Sequence, residues 1–256
     1  MAGGTDFYPA LGERLPQGTV VDITALREIR GIAVETDYFR IGGLTTWTEV
    51  IRTPLPLCFD ALKAAAREIG SVQIQNRGTV AGNLCNASPA ADGVPPLLAL
   101  DALVELTSKA AVRRVPLGQF IAGNRRTVRR PDEILSAVLV PRTMDRAASA
   151  FVKLGARRYL VISISMVAAL VARDQSGRVQ TARVAVGSCS VSALRLYDLE
   201  SALVGLPAQP GIGKAVSEDH LSVLSPIGDV RATADYRRDA SLTLVRRALE
   251  ACVGSS

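Results

Sequence analysis

The chain has 256 residues, 48% of them hydrophobic and 21% charged, which allows one sizeable core or two smaller ones and excludes a disordered polymer. The net charge of +6 would admit a nucleic-acid partner, but the charge is scattered and aromatic residues are only 4% of the chain, so stacking platforms are scarce. No apolar run reaches the roughly 18 residues of a membrane span, and no basic segment followed by an apolar one opens the sequence, which predicts a cytoplasmic protein.

In chain order, residues 19–23 are β-branched and read as a strand, and residues 25–29 as a turn of helix stopped by Gly31. Residues 32–35 and 38–41 read as a hairpin broken at Thr36-Asp37. Thr46 caps a short helix over 47–52, which Pro54 stops. A helix over 59–69 has Leu62, Ala65, Ala66 and Ile69 on one face, with Gly70 as its end signal. About twenty residues without hydrophobic period follow, then a helix over 95–100. Residues 103–107 and 111–115 form a second predicted hairpin, 116–121 a short helix and 133–140 a strand. Three strands are predicted at 150–154, 165–172 and 178–186, with a turn at 175–177. Helical segments at 196–203 and 234–252 complete the chain, with a looser region at 214–221 between them. Leu242, Val245, Leu249 and Cys252 form the apolar stripe of the last helix. The class is α+β, without strict βαβ alternation.

Two stretches carry the chemistry. Gly78 to Asp92 is rich in Gly, Asn, Ser and Pro, so a ligand can approach its backbone closely, and its free N–H groups suit a phosphate. An ordinary surface loop would share that composition. A second small-residue turn, Gly3-Gly4-Thr5-Asp6, lies some 75 residues earlier. Together the two could hold both ends of a diphosphate. Neither has the spacing of a dinucleotide-binding Rossmann turn or a P-loop.

Four cysteines without C-x-x-C spacing and a single histidine, His220, do not supply a metal-ligand set. Cys58, Cys85, Cys189 and Cys252 read as small buried hydrophobes. Asp132-Glu133 and Glu218-Asp219 are adjacent carboxylates, a pattern more typical of a solvated helix start than of an acid/base pair. The dense basic run Arg125-Arg126-Thr127-Val128-Arg129-Arg130 reads as a solvated loop or a subunit contact rather than a nucleic-acid patch.

The segments 2–6 and 77–92 resemble the two FAD loops of the flavin subunit of the molybdenum hydroxylases, the xanthine dehydrogenase and carbon monoxide dehydrogenase family. The likeness continues through 131–135, 153–155, 185–188 and Tyr236-Arg237-Arg238. It implies an FAD-binding type-2 (PCMH-like) domain over 1–144, with subdomains of about 1–30 and 31–144. A C-terminal domain of three-stranded antiparallel sheet with helices would follow over 145–256. In the family a strand and helix precede the first loop; here Met1 directly precedes Ala2. The resemblance therefore implies a first subdomain lacking part of its N-terminal elements, less stable than the rest and weak in holding FAD.

The resemblance also implies site residues. Ala2, Gly3, Gly4, Thr5, Asp6 and Phe7 would hold the pyrophosphate through N–H groups. Thr79, Val80, Ala81, Gly82 and Asn83 would supply the second set. Asp92 would fix the sugar-alcohol or its own loop, Ile69 and Leu135 would pack on the cofactor, and Lys153 would place a positive charge near the flavin. One departure is Ala81, where the family usually has glycine; if that position needs positive φ, alanine costs about 1 kcal/mol or more. The implied function is an FAD-carrying electron-transfer subunit. Its electrons would come from a [2Fe-2S] small subunit that serves a large subunit with the molybdenum cofactor, in a dimer of heterotrimers, and would leave to an external acceptor. The alternatives are a stand-alone PCMH-type flavin reductase or oxidase, and an FAD-free scaffold subunit.

Overall fold

A computed structural model describes residues 1–254; the final two residues of the 145–256 segment lie outside the described residues. The first part contains α1 (Phe7–Leu11), β1 (Ile32–Val34), β2 (Tyr38–Gly42), α2 (Trp47–Arg52), α3 (Asp60–Glu68), α4 (Val72–Arg77), α5 (Val80–Asn86) and α6 (Val94–Ala99). It continues with β3 (Leu103–Thr107), β4 (Val112–Pro116), α7 (Leu117–Phe120), β5 (Ile121–Gly123), β6 (Arg126–Thr127) and β7 (Ile134–Pro141). The second part contains β8 (Ala148–Leu154), β9 (Ser165–Arg173), β10 (Val179–Gly187), β11 (Leu194–Arg195), α8 (Tyr197–Leu203) and α9 (Ala234–Gly254).

The first sheet has the order β1-β2-β7-β3-β4, with every pair antiparallel. Its central strand β7 is an unbroken run, Leu135-Ser-Ala-Val-Leu-Val140, buried on both faces, as a strand flanked on both sides must be. Register sets Phe39 against Val140 and Val104 against Val138. Buried Glu105 accepts from Arg40 at 2.6 Å and from Ser136 at 3.0 Å, which satisfies its charge inside the sheet. The second sheet has the order β11-β10-β9-β8, antiparallel throughout. It holds the three expected strands, extended by the two-residue β11. Its faces are covered by α3 and α6 on one side and by α8 and α9 on the other.

Several local expectations change. Residues 19–23 form no strand, and Val20 and Val21 are exposed. They have no sheet neighbour beyond Met1, whose carbonyl accepts from Ile23 at 3.0 Å and whose amino group donates to Val21. The segment at 25–29 is only a 3-10 turn, Arg27–Ile29. The stretch before Asp92 is largely helical, in α4 and α5. Ala81 therefore has ordinary helical backbone and carries no positive-φ cost. In α9 the buried face runs through Leu244, Val245, Ala248, Leu249 and Cys252, and Leu242 sits at its half-buried margin.

Asp132-Glu133 is not a solvated helix start. Glu133 is buried, accepts from Arg113 at 2.6 and 2.9 Å and from the Arg130 N–H at 2.7 Å. These donors, Arg113 first, hold its carboxyl at about 2, below the ordinary 4.5. A depressed folded-state pKa contributes stability that is fully present above 4.5 and is lost as pH falls toward 2. Glu133→Gln is thus expected to flatten the acid limb of the stability curve in that window. Urea midpoints at several pH values, compared with the unsubstituted chain, check this; parallel acid limbs would contradict it.

Candidate flavin site

The two small-residue loops meet through their backbones. A Cβ added at Gly3 would lie 1.9 Å from the Arg77 carbonyl oxygen and 3.1 Å from the Gly78 Cα. A Cβ at Gly78 would in turn lie 3.5 Å from the Thr5 hydroxyl. Only glycine at position 3 permits this approach. Among the described residues, the N–H groups of Ala2 to Asp6 form no hydrogen bond within the chain; the Gly4 and Asp6 carbonyls accept the bonds that start α1. Those N–H groups remain for a ligand or solvent. Phe7 opens α1 and packs edge-on against Tyr8.

The second loop is built on Trp47. The Trp47 N–H donates to the Gly78 carbonyl at 3.1 Å, and the Val80 N–H donates to the Thr45 carbonyl at 3.0 Å. The far edge of the indole, itself buried, reaches Gly93, where an added Cβ would lie 2.4 Å from the ring. Trp47 thus supports both ends of the stretch 78–93. Thr79 caps α5 by accepting from the Gly82 N–H at 3.0 Å. A side chain at Gly82 would touch only the Thr79 hydroxyl, at 2.9 Å, so that face of α5 is otherwise open. Beside it, the Asn83 side-chain oxygen is buried without a hydrogen-bond partner. Such a group in a native protein needs a reason, and an awaited ligand donor is one.

Asp92 closes the loop. It is buried, and its carboxylate accepts from Lys153 Nζ at 2.7 Å and from Ser163 Oγ at 2.6 Å. Burial pushes the Asp92 carboxyl up, while the Lys153 ammonium and the Ser163 hydroxyl hold it back. Lys153 lies on β8 and is itself almost enclosed, at 6% side-chain exposure, so its charge is committed to Asp92. A groove of about 410 Å³ opens next to it between α3 and β8, lined by Ala64, Glu68, Phe151 and Arg157 among others. Ile69 ends α3 half-buried, and Leu135 is buried in β7; both pack on the main core.

The structure thus brings residues 2–5 against 77–78, places Asn83 beside Gly93, and joins Asp92 to Lys153. It places Ile69 and Leu135 on the surrounding core. Trp47 and Ser163 escaped sequence reasoning. The glycines at 78 and 93 were the only hint of a bulky support under the loop, and nothing in the sequence ties Ser163 to a residue 71 positions away. Cys85 lies in α5, where burial pushes its thiol up to about 11; it stays protonated at neutral pH and is no nucleophile. Among the described residues, no cluster of His, Cys, Asp and Glu could hold a metal ion, and no helix is long and apolar enough to cross a membrane.

Residues 1–143 match the model of the FAD binding domain in molybdopterin dehydrogenase, and residues 150–252 match the CO dehydrogenase flavoprotein C-terminal domain. The chain is 36% identical over 212 residues to the nicotinate dehydrogenase FAD-subunit of Eubacterium barkeri, covering 81% of this chain and 72% of the relative. It is 32% identical over 260 residues to the xanthine dehydrogenase FAD-binding subunit of Escherichia coli O157:H7, covering 100% of this chain and 89% of the relative. Carbon monoxide dehydrogenase from Hydrogenophaga pseudoflava has a chain that superposes with TM-score 0.89 at 28% identity, covering 99% of this chain and 88% of that one. A chain of the Cu,Mo-CO dehydrogenase superposes with TM-score 0.91 at 25% identity, covering 100% of this chain and 90% of that one. A two-part α+β chain with paired small-residue loops, matched by these models and relatives along its length, belongs to the FAD-binding subunits of the molybdenum hydroxylases, a family of oxidoreductases.

Proposed function

We propose that this chain is the electron-transfer subunit of a molybdenum-containing dehydrogenase, receiving electrons from [2Fe-2S] clusters of a small partner subunit and passing them to an external acceptor. The observation that carries this is the pair of loops pressed together at Gly3 and Arg77, with free N–H groups on one and an unpartnered Asn83 oxygen on the other. Small residues and unused backbone donors fit the phosphates of a cofactor, and the orphaned Asn83 acceptor fits a hydroxyl or N–H donor on its sugar or base parts. Bound FAD would supply the capacity to collect electrons and release them in pairs.

The chain's own residues do the positioning. Ala2 to Phe7 and Thr79 to Asn83 hold the pyrophosphate. Asp92, fixed by Lys153 and Ser163, anchors the end of the second loop. Ile69 and Leu135 form the apolar wall. Lys153 acts through Asp92 rather than as a free charge. The chain divides near residue 144 into an FAD-binding domain, with subdomains at about 1–30 and 31–144, and a C-terminal domain. The remaining partner is a large subunit with the molybdenum cofactor, the assembly a dimer of heterotrimers, and the compartment the cytoplasm. Relatives named as FAD-subunit and medium chain of dehydrogenases support this division of labour.

Purification of the tagged chain from its own host tests the reading. One flavin per chain is expected, with molybdenum and iron in the co-purified subunits. A yellow chain that purifies alone and stays active would favour the stand-alone flavoenzyme, and a colourless one the scaffold.

A further inference from the structure

The basic run at residues 125–130 is a built surface. Arg126 lies on β6 of the β5–β6 hairpin, and Arg125 stands in its turn. The hairpin packs on α5, the helix that begins the second loop. The Arg125 N–H donates to the Ala87 carbonyl at 2.9 Å, and its guanidinium donates to Asn86 at 2.6 Å. Behind the hairpin, Glu133 fixes the backbone. Arg113, held by Glu133, also donates to the Val128 carbonyl at 2.8 Å. The Arg129 guanidinium donates to the Glu133 carbonyl at 2.7 Å, and the Arg130 N–H to the Glu133 carboxylate at 2.7 Å.

Arg125, Arg126, Arg129 and Arg130 are all exposed, and among the described residues none has a carboxylate within ion-pair distance. The two carboxylates nearest in sequence do not neutralise them. Arg113 takes both carboxylate oxygens of Glu133, which Arg130 meets with its backbone N–H and only at longer range with its charge, and Asp132 is exposed and bonds to none of the four. Four like charges on a short, pre-organised hairpin and the segment just after it repel one another unless a partner supplies the opposite sign. Exposed Val128 gives the patch a small apolar content, and arginine around apolar residues is how protein interfaces are composed. An RNA or DNA strand would want aromatic stacking platforms, and no aromatic residue in residues 111–132 is exposed.

We infer that this hairpin is the docking surface for an acidic face of another protein. On the reading that the chain is an electron-transfer subunit, that protein is the subunit that delivers electrons, since an occupant here lies one helix from the second flavin loop. Rim charges of this kind set association rate and salt dependence.

The test uses the chain carrying FAD and its co-expressed partner subunits. In R126E/R130E, the partner is expected to bind on the order of tenfold more weakly at low salt, and the salt dependence of the unsubstituted chain should be largely lost. R126K/R130K should keep most of the affinity. Flavin content and reduction by dithionite should be unchanged in all three, which separates docking from the cofactor site. Equal affinity and equal salt dependence in the charge-reversed chain would overturn the inference. So would retention of the hairpin's charge effect on RNA or on phosphatidylglycerol vesicles with none on the protein partner. An unsubstituted chain that recruits no partner at all would instead remove the electron-transfer reading on which the inference rests.

Discussion

Lys153→Met is expected to destabilise the chain by about 3–5 kcal/mol, because it leaves the Asp92 carboxylate buried without its counter-charge. Both partners are more than nine-tenths enclosed, at 6% and 8% side-chain exposure, so solvent cannot take over the charge. Asp92→Asn combined with Lys153→Met should be much milder than the single change, since no orphaned charge remains. A double-mutant cycle read by urea unfolding measures the difference. The sign of the pH effect is also fixed. Burial already pushes the Asp92 carboxyl above its ordinary 3.8, and loss of Lys153 pushes it further. A raised carboxyl means the folded state binds a proton more readily than the unfolded one, so the variant's deficit should shrink on acidification from pH 7 toward the folded-state pKa. A deficit that is constant with pH, or a double variant as damaged as the single one, would show that the ion pair is not what holds the loop end. Ser163→Ala should show a smaller loss, about 1.5–3 kcal/mol, for one hydrogen bond to a charged acceptor.

Gly3→Ala is expected to weaken FAD binding on the order of tenfold to a hundredfold, the equivalent of about 1–3 kcal/mol of overpacking. The added methyl would lie 1.9 Å from the Arg77 carbonyl oxygen, a backbone atom that cannot rotate away. The loops must part, which moves the N–H groups of residues 2–6 away from the second loop, where the proposed cofactor would bridge the two. Stability should change little, because no residue of α1 is buried. Gly118→Ala is the control, since a Cβ there meets only Leu98 at 3.7 Å. Fluorescence titration of the apo chain with FAD reads the affinity. An unchanged Kd for Gly3→Ala would mean that the loops need not meet.

Most of both sheets was legible, for reasons that the structure makes concrete. Tyr38 to Ile41 alternates because one face meets β7's neighbours in the core and the other carries Arg40 to Glu105. The last helix was legible from its repeat: Val245, Leu249 and Cys252 of the predicted stripe lie on its buried face, and only Leu242 falls at the margin. By contrast, α4 and α5 are only six and seven residues, with Gln, Asn, Gly and Cys among a few apolar side chains, too short for a hydrophobic period to register. Tertiary bonds hold them instead: Gln75 to the Arg67 carbonyl at 3.0 Å, and Val80 N–H to the Thr45 carbonyl at 3.0 Å. Thr19 to Ile23 failed in the opposite way. Its β-branched residues had the propensity but no sheet to join, and strand preference is largely a matter of neighbours. At the candidate site, Asp92 and Lys153 were named separately, but sequence gave no sign that they neutralise each other.

The way the second sheet is covered bears on modularity. α3 and α6 belong to the first part of the chain, yet they pack on β8, β9 and β10, and Ala168, Leu170 and Ala185 lie in the same core as Leu62, Leu97 and Val138. The proposed boundary near residue 144 would therefore be a seam in sequence, not a hinge in space. A fragment ending there would open the underside of α6, whose six residues are all buried, and strand Asp92 without Lys153 and Ser163. Transplanting the flavin half alone onto another scaffold would therefore carry an exposed apolar wound, whereas the two halves exchanged together would travel as one piece.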